Sequence, residues 1–304
     1  MALADLHKLR AVLVTGKGGV GKTTVAAALA RKSARSGVRT LAVEVVEDED
    51  RDAPLAAALG RATLSAEPVE IEKNLHVTVL APSIGHKAFL RDMLPMRVLA
   101  DAAMKSQGVR RFLNAAPTFP ELGVLYRLLD LTRMTRSDGR PTYEHVVVDL
   151  PASGHALALV QVPSAVLRVV PGGAIGHAVR AGIDLLCDPT KAAALVVTLP
   201  EPLPVSESIE LVAGLEASRV DVRGIVLNRV PEDPFEDDEL AAAMTLIDGR
   251  ALLGGRSVQR VARARKARTR LSGTKPIIFE SREHEGDVIA ALLREIERES
   301  GRRP

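Results

Sequence analysis

Residues 15–24 read Thr-Gly-Lys-Gly-Gly-Val-Gly-Lys-Thr-Thr, and they have the types and spacing that bind nucleotide phosphates. Glycines allow positive φ angles and leave space for phosphate oxygens, so successive backbone N–H groups can point at the anion. The Lys22 ammonium can bind the β- and γ-phosphates, and the Thr23 hydroxyl can ligate Mg²⁺. We therefore predict a nucleoside triphosphate site in this loop. Its predicted phosphate-binding residues are Gly16, Lys17, Gly18, Gly19, Val20, Gly21, Lys22, Thr23 and Thr24.

The sequence on both sides of the loop supports this prediction. An apolar run at residues 11–14 precedes the glycines, and a helical pattern at residues 23–33 follows them. A strand, a glycine loop and a helix in this order place the phosphates at a helix N-terminus. The alternative interpretation, a glycine turn that opens an ordinary helix, is disfavoured because strand and helix lie in the expected places.

Lys17 is a second lysine, placed directly after the first glycine. With it, residues 16–24 resemble the deviant Walker A loop of the ATPase class that includes MinD, ParA, the nitrogenase iron protein and ArsA. In that class the additional lysine crosses a dimer interface to the ATP of the partner. The resemblance implies ATP as the nucleotide, Mg²⁺ as its cofactor, and Lys17 and Lys22 as catalytic lysines. It also implies a homodimer, or a dimer with a paralogous subunit.

Asp149 ends the apolar run 146–148, and a carboxylate at the end of a buried strand can hold Mg²⁺ through its water shell. Residues 149–157 resemble the second switch of ArsA and of the Get-pathway ATPase that targets tail-anchored membrane proteins. The resemblance implies a catalytic and metal-binding role for Asp149 and a switch role for Gly154 and His155. Without that resemblance, a lone histidine is more often structural.

The first switch departs from the family pattern. The family places a water-orienting Asp after its second strand, in Ser-Thr-Asp-Pro-Ala-His, and an alignment without gaps puts Val46 at that position. Carboxylates follow directly, and a small shift in register would let Glu47 or Asp48 orient the attacking water. We take Asp48 as the catalytic candidate and Glu47 as a switch residue, and we expect slow turnover. The alternative is a solvated acidic loop.

Asn228 ends another predicted strand. An amide donates and accepts hydrogen bonds at once, which suits the edge of adenine. Its position in the family implies that Asn228 contacts adenine, with Pro276 and Phe279 as the opposite wall. The alternative is an asparagine that caps a loop.

Continuous Val, Leu and Ile runs alternate with helical patterns, as in a parallel sheet covered on both faces. This order predicts a doubly wound α/β fold with a mostly parallel sheet, a single P-loop NTPase domain over residues 1–304. Residues 83–140 have a helical pattern without a strand and are predicted to form a helical insertion. The predicted strands lie at 10–15, 39–45, 75–80, 144–150, 193–199, 222–228 and 277–279.

Composition excludes several classes. The net charge of +3 is too small to indicate nucleic acid as the partner, and no apolar run reaches the roughly 18–20 residues of an integral membrane segment. The N-terminus lacks the apolar stretch of a signal peptide, so the prediction is cytoplasmic. Cys187 is the single cysteine, so we expect no disulfide framework and no zinc, and arsenite transport through thiolates is disfavoured.

The resemblance favours an ATPase that cycles between open and closed dimers and handles a hydrophobic protein client. Met93, Met96 and Met104 are candidates for a client groove because methionine adapts to varied partners, although such residues usually form core. The alternative is a ParA/MinD-type positioning switch that acts on DNA, a membrane or a partner protein. A basic helix predicted at 257–272 would contact only the DNA backbone, or would face the acidic segment 232–239.

Overall fold

The computed structural model describes residues 3–46, 53–61, 66–93, 119–169, 172–250 and 252–301. The strands are β1 (Ala11–Gly16), β2 (Thr40–Val45), β3 (Val69–Glu72), β4 (Leu75–Leu80), β5 (His145–Asp149), β6 (Ala192–Thr198), β7 (Val222–Val230) and β8 (Ile277–Arg282). They form one sheet in the order β3-β4-β2-β5-β1-β6-β7-β8. Every neighbouring pair is parallel except β3 and β4. The predicted doubly wound, mostly parallel α/β fold is confirmed.

Helices cover both faces of the sheet. A short 3-10 helix, Leu3–Lys8, precedes β1. The α-helices are α1 (Lys22–Arg35), α2 (Pro54–Ala58), α3 (Pro82–Met93), α4 (Phe119–Arg133), α5 (Ser153–Val169), α6 (Gly173–Leu186), α7 (Pro202–Ala217), α8 (Asp237–Ile247), α9 (Gly255–Leu271) and α10 (Val288–Gly301).

Alternate side chains of the central strands point to opposite faces, so each strand contributes to two cores. Leu13 of β1 and Val148 of β5 lie in one core, with apolar residues of α4, α5, α6 and α7. Val12 of β1 and Val147 of β5 lie in the other, with apolar residues of α1, α2 and α10. Both faces are thus covered, and ligands of such a sheet bind beyond the carboxyl ends of its strands.

Helices α3 and α4 lie at the two ends of the predicted insertion and cross at two glycines. A Cβ on Gly85 of α3 would lie 1.8 Å from the carbonyl oxygen of Gly123 of α4. This close approach lets α4 bury Leu125, Leu128 and Leu131 in the core. The leucines of α4 therefore help to hold the sheet.

Two elements differ from the prediction. β3 was not predicted because its four residues, Val-Glu-Ile-Glu, form a half-polar strand at the edge of the sheet that pairs only with β4. α9 begins at Gly255, whereas we predicted a start at Ser257. Gly254 has a φ of 82°, so the chain turns through the left-handed region before the helix begins.

Candidate functional site

The glycine loop turns sharply from β1 into α1. Gly16, Gly19 and Gly21 have φ angles of 147°, 80° and 97°. A Cβ on Gly16 would lie 2.2 Å from the carbonyl oxygen of Val197 on the neighbouring β6. α1 begins directly after Gly21, and no side chain caps its first turn, so the N–H groups there remain available. The arrangement is that of a phosphate site at a helix N-terminus.

The Lys22 ammonium folds back onto the loop. Its Nζ donates a hydrogen bond to the carbonyl oxygen of Lys17 at 3.0 Å. Burial lowers the pKa of Lys22, and the nearby Asp149 carboxylate acts in the opposite direction. Since burial disfavours the charged ammonium, an anion bound beside it would restore the stability of the charged form. Lys22 is therefore placed to favour phosphate.

Asp149 joins the end of β5 to the first turn of α1. The Thr23 hydroxyl donates to Asp149 Oδ2 at 2.7 Å. Asp149 is only 5% exposed, and its Oδ1 has no hydrogen-bond partner within the described residues. Burial raises the pKa of Asp149 to about 6, against the opposing effects of the Thr23 hydroxyl and the Lys22 ammonium.

These features fit magnesium. Mg²⁺ keeps several waters and is usually held by one or two carboxylates together with substrate phosphates, so a free carboxylate oxygen beside the Thr23 hydroxyl suits it. In the described parts of the chain, no group of three His, Cys, Asp or Glu side chains forms a metal cage. A cage is not required, because the phosphates and waters complete the shell.

Glu44 is a second buried carboxylate at this edge, and our sequence reasoning did not select it. It lies on β2 directly opposite Asp149 in the parallel register and is 5% exposed. Its Oε2 accepts a hydrogen bond from the backbone N–H of Leu55 at 3.0 Å. Glu44 therefore connects α2, which follows the first-switch segment, to the edge of the sheet where Asp149 lies.

The environment of Glu44 disfavours its charge. Burial is the largest cause of a pKa raised to about 7, and the Asp149 carboxylate raises it further, whereas hydrogen bonds from the Leu55 and Ala56 backbones lower it. A signal was present in the sequence, since Glu44 interrupts the apolar run 41–45. A carboxylate inside a buried parallel strand is rare unless it has partners.

Lys17 leaves the loop in another direction from Lys22. Its Nζ lies 2.7 Å from Glu207 Oε1 of α7, the helix that follows β6. The two side chains are 33% and 34% exposed. Lys17 is therefore held by its own chain at the rim of the site, in an ion pair that solvent still reaches.

Asn228 braces the loop from β7. Its Nδ2 donates to the carbonyl oxygen of Val20 at 2.8 Å, and its Oδ1 accepts from the Arg229 backbone N–H at 2.9 Å. A Cβ on Gly21 would lie 2.3 Å from the Asn228 amide nitrogen. The amide and the loop thus pack directly together, at the end of β7 where the sequence predicted a nucleotide contact.

Comparison with known proteins identifies the family. The model of the anion-transporting ATPase (ArsA) family matches residues 9–171. The ATPase BagA of Mycobacterium tuberculosis is 32% identical over 244 residues, which covers 78% of this chain and 70% of that protein. The chain belongs to the ArsA ATPase family.

Other relatives of this ArsA-family ATPase are arsenical pump-driving ATPases. That of Acidiphilium multivorum is 30% identical over 223 residues, and that of Escherichia coli is 29% identical over 222 residues. Each match covers 71% of this chain but 34% of the relative. The family and the ATPases among its relatives confirm the predicted activity: the chain is an ATPase that hydrolyses ATP.

Phe279 and Pro276, the predicted adenine wall, lie at β8, the strand that pairs with β7. Phe279 pairs in register with Val226, two residues before Asn228 on β7, and a Cβ on Gly224 would lie 2.4 Å from its ring. Phe279 also lines a cavity of about 920 Å³ between β8 and α10. Pro276 is buried immediately before β8. Adenine contacts by Asn228, Pro276 and Phe279 remain predictions.

The two switches are described to different extents. Gly154 and His155 lie in the first turn of α5, five and six residues past the end of β5. A Cβ on Gly154 would meet no atom within 4 Å, so space is open there. The first-switch candidates Glu47 and Asp48 lie outside the described residues. Their assignments, like that of His155, remain predictions.

Among the described residues, none of the helices combines the length and the apolar character needed to cross a bilayer.

Proposed function

We propose that this ArsA-family ATPase works as a dimer in which Lys17 of one subunit contacts the ATP bound to its partner. The different contacts of Lys17 and Lys22 support this proposal. Lys22 is folded onto its own loop, whereas Lys17 extends to Glu207 at the partly exposed rim. A partner's phosphates would replace Glu207 as the anion beside Lys17. The resemblance of residues 16–24 to the deviant Walker A loop points the same way.

The observation that carries the catalytic proposal is the hydrogen bond from Thr23 to the buried Asp149. Loop N–H groups and Lys22 would hold the β- and γ-phosphates, and Thr23 and Asp149 would hold Mg²⁺ with its waters. When bound, Mg²⁺ supplies positive charge against the charge that develops on the transferred phosphoryl group. We assign the orientation of the attacking water to Asp48 or Glu47.

Mixing two inactive variants tests the dimer. Lys17→Ala removes the rim lysine, and Asp149→Asn removes the metal carboxylate. If Lys17 acts across the interface, a mixed dimer has one intact site, built from Asp149 of one subunit and Lys17 of the other. An equal mixture should then recover about a quarter of wild-type turnover, since half of the dimers are mixed. No recovery, with mixed dimers demonstrated by differently tagged subunits, would contradict the proposal.

We further propose a hydrophobic protein client as the output of the cycle, on the strength of the family resemblance. Met93 ends α3, whereas Met96 and Met104 lie outside the described residues, so the groove itself rests on sequence. An arsenical pump-driving role is disfavoured here. Cys187 is the only cysteine, and its thiol faces the Ser218 carbonyl oxygen at 3.6 Å.

The ParA/MinD-type alternative would use the basic helix α9 on DNA. Internal pairing argues against this role for many of its arginines. Arg265 Nε lies 2.7 Å from Asp233 Oδ2, and Arg260 Nη2 lies 2.7 Å from Glu283 Oε2. The Arg265 contact matches the alternative that the basic helix faces the acidic segment 232–239.

Trapping the ATP-bound state distinguishes the two outputs. The wild-type ATPase would be isolated with a non-hydrolysable ATP analogue, and Lys22→Ala would serve as the control that cannot bind it. Recovery of apolar helical segments, by mass spectrometry, in the wild-type sample only supports a protein client. Recovery of DNA in that sample supports the positioning switch. If neither is enriched over the control, the client proposal fails.

A further inference from the structure

Three exposed leucines lie within eight residues of one another, where α8 turns into α9. Leu246 is 57% exposed, Leu252 is 44% exposed and Leu253 is fully exposed. Exposed large apolar residues elsewhere in the described chain, such as Leu203 and Ile277, stand apart in sequence. A single exposed leucine is ordinary, but a group of three at one turn indicates a contact surface.

Two arginines flank the leucines. Arg250 and Arg256 are exposed, and neither has a carboxylate within 4 Å among the described residues. Gly249 and Gly254 have positive φ angles of 63° and 82°, which let the chain reverse between the helices. The five side chains Leu246, Arg250, Leu252, Leu253 and Arg256 are referred to as the hairpin tip.

The basic residues of α9 divide into two groups. One group is used within the fold: Arg260 pairs with Glu283, Arg265 with Asp233, and Arg268 Nη2 donates to Glu280 Oε2 at 2.9 Å.

The second group continues from the hairpin tip along the helix. Arg256 and Arg263 are seven residues apart and therefore share a face, which Lys266 extends by about one turn. All three are exposed and have no carboxylate within 4 Å among the described residues. The internal ion pairs thus leave a basic stripe free, and the stripe ends at the leucines.

The hairpin tip combines basic and apolar side chains, and this combination indicates which kind of partner it fits. An anionic bilayer offers acyl chains for the leucines and phosphate headgroups for the arginines at the same depth. The DNA backbone offers no apolar surface for three leucines, and the chain has few aromatic residues for base stacking. The acidic residues Asp237, Asp238 and Glu239 open α8 at its other end, roughly 13 Å from the leucines at the rise of an α-helix. Asp248 is the one acidic residue beside the tip, and two arginines outweigh it.

We propose that the hairpin tip docks on an anionic lipid surface, with Leu252 and Leu253 inserted among the lipids and Arg250 and Arg256 at the headgroups. This surface shares no residue with the predicted ATP site, and the proposal does not depend on whether the ATPase handles a protein client. The ATPase would attach to the bilayer as a peripheral protein through the turn between α8 and α9.

Vesicle sedimentation tests the proposal. The wild-type protein would be mixed with vesicles of phosphatidylcholine alone, or of phosphatidylcholine with about a third phosphatidylglycerol, without nucleotide, with ADP and with ATP. We expect sedimentation with the anionic vesicles only, in at least one nucleotide state. Leu252→Ser/Leu253→Ser should weaken the apparent affinity about tenfold, because two large apolar side chains no longer enter the lipid.

Matched variants separate the tip from general effects. Ile277→Ser removes a comparably exposed apolar side chain on β8 and should leave sedimentation unchanged. Arg256→Gln should weaken it about fivefold, whereas Arg260→Gln, which alters the paired group on the same helix, should have little effect. ATP turnover in solution should be unchanged in the double leucine variant, which shows that it has folded.

Several results would overturn the proposal. One is that wild-type protein sediments with neither vesicle in any nucleotide state. Another is that the double leucine variant, with normal turnover, sediments like the wild type. A change in molecular mass caused by the leucine substitutions would assign the tip to self-association instead. Binding of duplex DNA that depends on Arg256 but not on the leucines would assign the stripe to nucleic acid.

Discussion

Asp149 and Glu44 illustrate how position decides the chemistry of two neighbouring carboxylates. Both are buried and both have a raised pKa. Asp149 has a free oxygen and the Thr23 hydroxyl, so a cation can bind it. Glu44 instead accepts a hydrogen bond from the backbone of α2, so it holds that helix in place. Asp149 is therefore the proposed metal ligand, and Glu44 is a positioning residue.

Glu44 should make stability depend on pH. Its pKa is raised from 4.5 to about 7, so the native state binds this proton more tightly than the unfolded chain does. The resulting stabilisation is fully present below pH 4.5 and is lost as the pH rises through about 7. Glu44→Gln should remove roughly 2–3 kcal/mol of this pH dependence, measured as the free energy of urea unfolding without nucleotide.

Glu44→Ala provides the comparison. Gln at this position keeps an oxygen acceptor for the Leu55 N–H, whereas Ala leaves that donor unsatisfied. We expect Glu44→Ala to be less stable than Glu44→Gln by about 1–3 kcal/mol at every pH. Equal stability of the two variants would contradict the positioning role, and an unchanged pH slope in Glu44→Gln would contradict the raised pKa.

At the scale of elements, contacts between strands and helices hold the site in shape. Thr23 on α1 reaches Asp149 on β5, and Asn228 on β7 reaches the Val20 carbonyl in the loop. The loop is therefore supported from two strands besides the one it follows. These supports act on the backbone of the phosphate-binding loop, so they influence every nucleotide that it binds.

Asn228→Ala distinguishes two roles of the same residue. If the amide chiefly braces the loop, the variant should weaken ATP and GTP binding by the same factor, about tenfold for one lost buried hydrogen bond. If the amide reads adenine, ATP binding should weaken and GTP binding should not. Fluorescence titration with labelled forms of both nucleotides measures the two dissociation constants. From the contacts to Val20 and Arg229 we expect the uniform loss.

The close crossing of α3 and α4 predicts that a side chain at Gly85 lowers stability. Gly85→Ala would place Cβ 1.8 Å from the Gly123 carbonyl oxygen, so the helices would have to separate. We expect a loss of about 2–4 kcal/mol and a lower melting temperature, measured by circular dichroism. Gly273→Ala is the matched control, because its Cβ would meet no atom closer than 3.6 Å. Similar melting temperatures for both variants would rule out a tight crossing.

At the scale of the whole molecule, the order of strands assembles the site. β5 and β6 lie on either side of β1, so the residues that follow all three strands meet around the glycine loop. Asp149 comes from β5, and Glu207 comes from the helix after β6. The same arrangement places Lys17 beside Glu207 at the rim, where the proposed partner would bind.

Release of Lys17 should influence assembly. In the proposed dimer the ion pair with Glu207 must break, so Glu207→Gln should let the dimer form at a lower ATP concentration. The pair is about one-third exposed, so we expect a change of only about two- to fivefold. Light scattering over an ATP titration measures the mass. Glu210→Gln, on the same helix, is the control, and an unchanged midpoint in Glu207→Gln would contradict the prediction.

The sequence alone determined the features that depend on neighbouring residues. The loop 15–24 predicts phosphate binding, because its glycines, lysine and threonine are neighbours within one short stretch of chain. Apolar runs identified seven of the strands in the sheet, and their continuity indicated a parallel, covered sheet. β3 escaped detection because it has only four residues, too few for their alternation to indicate a strand when the pairing with β4 is unknown.

The tertiary structure decided the contacts between residues far apart in the chain. Val20 and Asn228, Lys17 and Glu207, and Thr23 and Asp149 meet only because the strands are ordered as they are. The role of Glu44 became visible only in the fold, where β2 lies beside β5 and Glu44 faces Asp149. Likewise, only the fold shows which arginines of α9 pair with carboxylates. Local patterns record which side chains are available, but burial and partners arise from long-range packing, which no short stretch of sequence contains.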